Sequence, residues 1–308
     1  MTNSDSQRHG DTPRQGHHHG HDHTHSTTDF DWDALAVHLE HEAEVNRPVY
    51  EQAAAWIAER FRGARGVRRV LDIGSGPGVI TCMLAAAFPD AEIVAVDGTP
   101  ALLERTRARA ERAGAGERVR TVVAEVPDGI GSLGEADLVW AANSLHHVGD
   151  QRAALTGLAG LLRPGGALAL FEGGLPQRHL PRDFGIGMPG LEARLEVVAG
   201  EWFARMREEL PGAKSEVEDW PALLTAAGLT PEPGRSFLLD LPAPLAPLGR
   251  EMVLKVFTRY RSVYAERLAA EDVATLDRLL DARDPAGLAQ RPDVFLLRAR
   301  TLHLAHRA

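Results

Sequence analysis

Apolar runs at Val70–Ile73, Ile93–Val96, Thr121–Ala124, Leu138–Ala142 and Ala167–Phe171 alternate with segments whose apolar residues fall at helical spacing. That rhythm predicts strand and helix in turn up to Glu172, an α/β core with a parallel sheet. Before the core, Leu35, Leu39 and Ala43 mark one helix, and a break is expected around Asn46-Arg47-Pro48. Pro48 suits the first turn of a second helix running to Arg60 and carrying Val49, Ala53, Trp56 and Ile57 on one face. After Glu172 the rhythm changes. Residues 175–190 read as a Pro/Gly-rich loop, and Leu191, Leu195, Val198, Trp202, Met206 and Leu210 mark an amphipathic helix. A capped helix is expected from Asp219 to Gly228, a strand at Ser236–Asp240, two more helices near 250–270 and 274–281, and a last strand at Val294–Leu304.

The first strand ends in Asp72-Ile73-Gly74-Ser75-Gly76-Pro77-Gly78, and a helix-like segment starts at Val79. Strand, glycine turn and helix in that order form the place where open α/β sheets bind nucleotides. A pyrophosphate fingerprint would put its third glycine at position 79; here it falls at Gly78 and position 79 is Val. The shift argues against a dinucleotide, and so against an NAD-type oxidoreductase. The second strand ends in Asp97-Gly98, and a carboxylate there can accept two hydrogen bonds from a ribose diol.

With these motifs, and with Thr121–Glu125, Ala136–Val148 and Leu162–Glu172 following in order, the chain resembles the class I S-adenosylmethionine-dependent methyltransferases over residues 45–175. The resemblance implies a Rossmann-like α/β fold: a seven-stranded, mostly parallel sheet with an antiparallel last strand, here with helical additions. It divides the chain into a His-rich tail (1–28), an N-terminal helical cap (29–62) and a methyltransferase domain (63–308) with insertions at about 175–218 and 245–291. S-adenosyl-L-methionine is the implied cofactor, held by Asp72, Gly74, Ser75, Gly76, Gly78, Asp97, Gly98, Glu125, Val126 and Asn143. The acceptor is expected to be a small molecule, since helical additions after strands five and six would close a pocket. O-methylation is favoured because His146 and His147 sit after strand four with a titration range suited to proton abstraction. Glu172 also points to the cleft mouth, and Phe257, Tyr260 and Tyr264 either wall the acceptor pocket or pack the insertion as core. The same motifs also suit a non-catalytic S-adenosylmethionine-binding or regulatory protein.

Composition narrows the partners. The 308 residues carry a net charge of -9, and no dense basic run favours nucleic acid. One cysteine, Cys82, allows no intramolecular disulfide, and there is no secretory signal or membrane-length apolar run, so a cytoplasmic protein is expected. The first 28 residues are low-complexity and expected to be disordered. Their His17, His18, His19, His21, His23 and His25 can chelate transition metals adventitiously; no metal is expected in the core.

Overall fold

The computed structural model of the protein describes residues 32–61 and 66–308. The His-rich tail, and with it the metal expectation for His17 to His25, lies outside the described residues.

Strands β1 (Arg69–Ile73), β2 (Glu92–Asp97), β3 (Val119–Val123), β4 (Ala136–Ala142) and β5 (Leu162–Arg178) run parallel in the spatial order β3-β2-β1-β4-β5. The chain builds outward from β1 to β3, then returns to place β4 against the other side of β1. That reversal opens a crevice at the C-terminal ends of β1 and β4. Beyond β5 comes β8 (Leu296–His306), antiparallel to it. The last strand position is shared by β6 (Thr230–Pro231) and β7 (Arg235–Leu241), which both pair with β8. Pro233 and Gly234 interrupt the ladder between these two pieces.

The strands read as near-continuous apolar runs because both sheet faces are covered. Alternate side chains divide cleanly. Val70, Leu138, Trp140, Ala169 and Phe171 face α1 (Trp32–Arg60) and α2 (Val79–Ala87), whereas Leu71, Ile73, Val139, Ala141 and Leu170 face α4 (Gln151–Gly160) and α6 (Trp220–Ala226). The remaining helices are α3 (Pro100–Arg112), α5 (Leu191–Glu208), α7 (Pro247–Tyr264) and α8 (Ala270–Leu280).

Two local expectations are corrected, and one open alternative is resolved. The two N-terminal helices are one, α1, with Pro48 inside it. An interior proline forfeits a backbone hydrogen bond. Here Val45, Val49, Tyr50, Ala53, Ala54 and Ile57 are buried on a single face across the proline. Burial at roughly 1.5–3 kcal/mol for each large side chain outweighs a proline cost of about 3 kcal/mol. Second, residues 175–178 are not loop: β5 continues to Arg178, pairing with β8 through register shifts. Third, Phe257 and Tyr264 are buried, and Tyr260 meets both edge-on or tilted at 5.9 Å between ring centres, so these aromatics pack the insertion.

Candidate active site

The glycine turn closes on itself through β2. Gly74 and Ser75 both donate their N–H to Val96 O (2.8 and 3.0 Å), and Gly76 N donates to Asp97 Oδ2 at 2.9 Å. Asp97 Oδ1 accepts from Thr99 N at 2.8 Å, so this carboxylate ties the turn to the start of α3. Gly74, Gly76 and Gly78 all have positive φ (70°, 54° and 82°), which favours glycine at each.

The three glycines nevertheless do different things. A Cβ on Gly76 would meet nothing within 4 Å, so this backbone borders open space. A Cβ on Gly78 would lie 2.7–2.8 Å from Thr106, including its Cα. Gly78 is thus where α2 packs against α3, and it does not line the cavity described below. Gly78→Ala combines that clash with a left-handed backbone. It is expected to cost about 2–4 kcal/mol of stability, measurable by urea unfolding.

Asp72 lies beneath the turn, 2% exposed, and accepts a 2.6 Å hydrogen bond from Thr81 Oγ1. Burial pushes its pKa up to about 7; the Thr81 bond opposes the rise and the Asp97 charge adds to it.

A cavity of about 650 Å³ occupies the crevice. Its floor is Gly74, Ser75, Gly76 and Asp97, with Leu102 beside them. Its far wall is Asn143, His146, His147 and Glu172, and α1 covers it with Leu39, Glu42, Asn46 and Tyr50. Phe203 and Trp220 close the side and Arg300 stands on β8. Asp72, Gly78, Gly98, Glu125 and Val126 are not among the lining residues; Glu125 is exposed and packs beside Gly98.

Asn143 adopts a left-handed backbone (φ 53°) where β4 ends. Its Nδ2 donates to the Tyr50 hydroxyl at 2.7 Å, while Oδ1 is buried with no partner. Ser75 Oγ is likewise buried and unpartnered. Unsatisfied buried polar atoms are costly, so two of them on residues lining one cavity mark a surface shaped for a polar ligand.

Glu172 organises the far wall around the loop after β4. It is 4% exposed, yet its Oε1 accepts from Ser144 N (3.1 Å) and Leu145 N (2.9 Å), and its Oε2 meets His146 Nδ1 at 3.0 Å. A carboxylate only accepts, so Nδ1 is the donor in this pair, and in the neutral ring the lone pair is then at Nε2. The bulge between the Phe171–Leu302 and Gly174–Arg300 pairs re-aims β5 just after Glu172. His147 stacks on His146 at 4.1 Å; burial, then the neighbouring His146 charge, lowers its pKa. Tyr50, Phe203 and Arg300 were not marked by any motif: Tyr50 reaches Asn143 across 93 residues of chain.

Residues 71–168 match the family model described as "Methyltransferase domain". Among similar proteins, a trans-aconitate 2-methyltransferase of Mycolicibacterium gilvum is 30% identical over 63% of this chain and 68% of its own length. The chain belongs to the class I S-adenosylmethionine-dependent methyltransferases. A trans-aconitate 2-methyltransferase of Methylobacterium radiotolerans is 36% identical over 44% of this chain and 47% of its own. The 27-O-demethylrifamycin SV methyltransferase of Amycolatopsis mediterranei is 32% identical over 59% and 62%. The chain therefore spans between about half and two thirds of these relatives' lengths. Among the described residues, no helix is long and apolar enough to cross a membrane, and no group of three or more His, Cys, Asp or Glu could hold a metal ion.

Proposed function

We propose that this chain transfers methyl from S-adenosylmethionine to an oxygen of a small-molecule acceptor in the cavity at the ends of β1 and β4. The observation that carries the reading is one cavity lined at one end by the Gly76 turn and Asp97 and at the other by the Glu172–His146 pair. The residues present fit the cofactor. Gly76 leaves open the space a side chain would fill, and Ser75 Oγ and Asn143 Oδ1 offer unpartnered polar atoms. Asp97 has lone pairs left for a ribose diol after binding Gly76 and Thr99, and Asp72 lies behind the turn to balance an ammonium group. Gly98, Glu125 and Val126 follow Asp97 and β3 on the adenine side, outside the cavity wall.

Bound S-adenosylmethionine supplies an activated sulfonium methyl group. The chain's own tasks are then alignment, exclusion of water and proton handling. Tyr50 and Asn143 fix the β4 end, α1 covers the cavity, and His146 Nε2 takes the proton of an acceptor hydroxyl. The cavity's enclosure by helices on several sides suits a small acceptor. The net charge of -9 makes nucleic acid a poor partner, and a cytoplasmic setting fits the absence of a membrane-length helix among the described residues.

Calorimetry with S-adenosylhomocysteine tests the cofactor half. The parent should bind, and Asp97→Ala should lose about 2–3 kcal/mol of affinity, the worth of charged hydrogen bonds plus a loosened turn. Gly76→Ala should also weaken binding while costing only about 1–2 kcal/mol of stability, because its Cβ enters open space in a left-handed backbone. Unchanged affinity in both variants would move the cofactor elsewhere. A screen of hydroxylated and carboxylated acceptors with labelled S-adenosylmethionine, read by mass spectrometry, tests the transfer half. Binding without transfer to any acceptor would favour a regulatory protein on the same fold.

A further inference from the structure

Arg300 stands on β8 and lines the cavity, and its guanidinium has no hydrogen bond, ion pair or aromatic partner among the described residues. Arginine in a half-buried place is normally paired, because a desolvated charge without a partner is costly. The neighbours make the position less favourable still. Arg298 lies two residues away on the same face of β8, roughly 7 Å along the strand. Among the described residues its one hydrogen-bond partner is neutral, Asn46 Oδ1 at 3.0 Å on α1, and burial together with the Arg300 charge lowers its pKa. Glu42 lines the same cavity, but among the described residues no carboxylate comes within ion-pair distance of either guanidinium. Across the sheet, Arg300 pairs with Gly174, which is packed against the β8 backbone, while a Cβ on the adjacent Gly173 would meet nothing within 4 Å, so open space borders β5 beside this pair.

We infer that Arg300 is the specificity residue for the acceptor and binds a carboxylate on it. This rests on the methyltransferase reading above and adds the acceptor's charge. A guanidinium presents paired N–H donors that match a carboxylate in two-point geometry. The cofactor's own carboxylate is not the partner. In the order β2-β1-β4-β5-β8, Arg300 stands three strand spacings from the glycine turn and four from Asp97, roughly 14 and 19 Å. His146 follows β4, only two spacings from β8. An acceptor anchored at Arg300 therefore lies on the histidine side of the cavity and can present a second oxygen to His146.

The test uses the full chain and ligand-observed NMR with 4-hydroxybenzoate, 3-hydroxybenzoate and fumarate, each beside its amide, with and without saturating S-adenosylhomocysteine. The acids should bind and the amides should bind at least about 10-fold more weakly. Arg300→Gln should remove roughly 10- to 100-fold of acid affinity, the range for charged hydrogen bonds, and Arg300→Lys should fall between. Affinity for S-adenosylhomocysteine should not move in either variant. Equal binding of acid and amide, binding by none of the acids, or an Arg300→Gln defect confined to S-adenosylhomocysteine would each overturn the inference. Acid preference without any S-adenosylhomocysteine binding by the parent would instead sink the cofactor reading and leave the Arg300 assignment standing.

Discussion

His146→Gln is expected to lower turnover by about 10²–10⁴ at neutral pH, with affinity for S-adenosylhomocysteine unchanged. The expectation follows from the arrangement around Glu172. Its carboxylate accepts two backbone N–H groups of the loop after β4 and the Nδ1 proton of His146 at 3.0 Å, which fixes both the loop and the tautomer. Glu172→Gln keeps the shape but offers an amide N–H where a third acceptor is needed. It should lose nearly as much turnover, and the double variant should be little worse than either single one, since the two act as a unit. His147 provides the contrast. Its pKa is lowered chiefly by burial, so proton transfer through His147 would move the acid limb of the rate profile below the ordinary imidazole range near 6.5. Steady-state kinetics against pH on an acceptor found by screening separates the cases. Turnover within a few-fold of the parent in both His146→Gln and Glu172→Gln would mean that alignment alone suffices.

The parts of the site that could be read from the chain are those made by local sequence. Gly74 to Gly78 and Asp97 are each fixed by a strand end and the turn next to it, so an apolar run followed by glycine or an acid is enough to place them. The reading was weaker wherever two motifs look alike but pack differently. Gly76 and Gly78 are both left-handed glycines in one turn, and only the position of Thr106, 28 residues on, shows that Gly78 serves packing. Residues supplied from outside the motif region were not visible at all. Tyr50 and Glu42 arrive on α1, Phe203 on α5 and Arg300 on β8, and nothing in their own neighbourhoods distinguishes them from helix or strand surface. The aromatic spacing of Phe257, Tyr260 and Tyr264 pointed to a pocket wall or to core. Burial of Phe257 and Tyr264 decided for core, because α7 packs that stripe against the rest of the insertion.

Asp72→Asn should make the protein more stable at neutral pH while weakening its hold on the cofactor. The carboxyl is buried at the end of β1 with Thr81 Oγ1 as its hydrogen-bond partner, and burial raises its pKa from 3.8 to about 7. In the unfolded chain the same group ionises near its ordinary value. Between about pH 4 and pH 7 the folded state therefore binds one proton more than the unfolded state. Stability of the parent falls as pH rises through that window and levels off above it. Asparagine has no proton to lose, so the variant lacks this slope. The two proteins should match near pH 4 and diverge until pH 7, where the variant gains at most about 4 kcal/mol, three pH units at 1.36 kcal/mol each. Urea unfolding at pH 5 and pH 8 measures the divergence, and equal differences at both values would show that Asp72 ionises normally in the fold. The functional cost runs the other way. An ionised Asp72 behind the glycine turn can balance the positive charge of a bound amino group, and a bound cation in turn favours the ionised form. Affinity for S-adenosylhomocysteine should therefore drop in Asp72→Asn, most clearly above pH 7. A buried acid kept at the expense of stability is what a binding site for a cationic ligand requires.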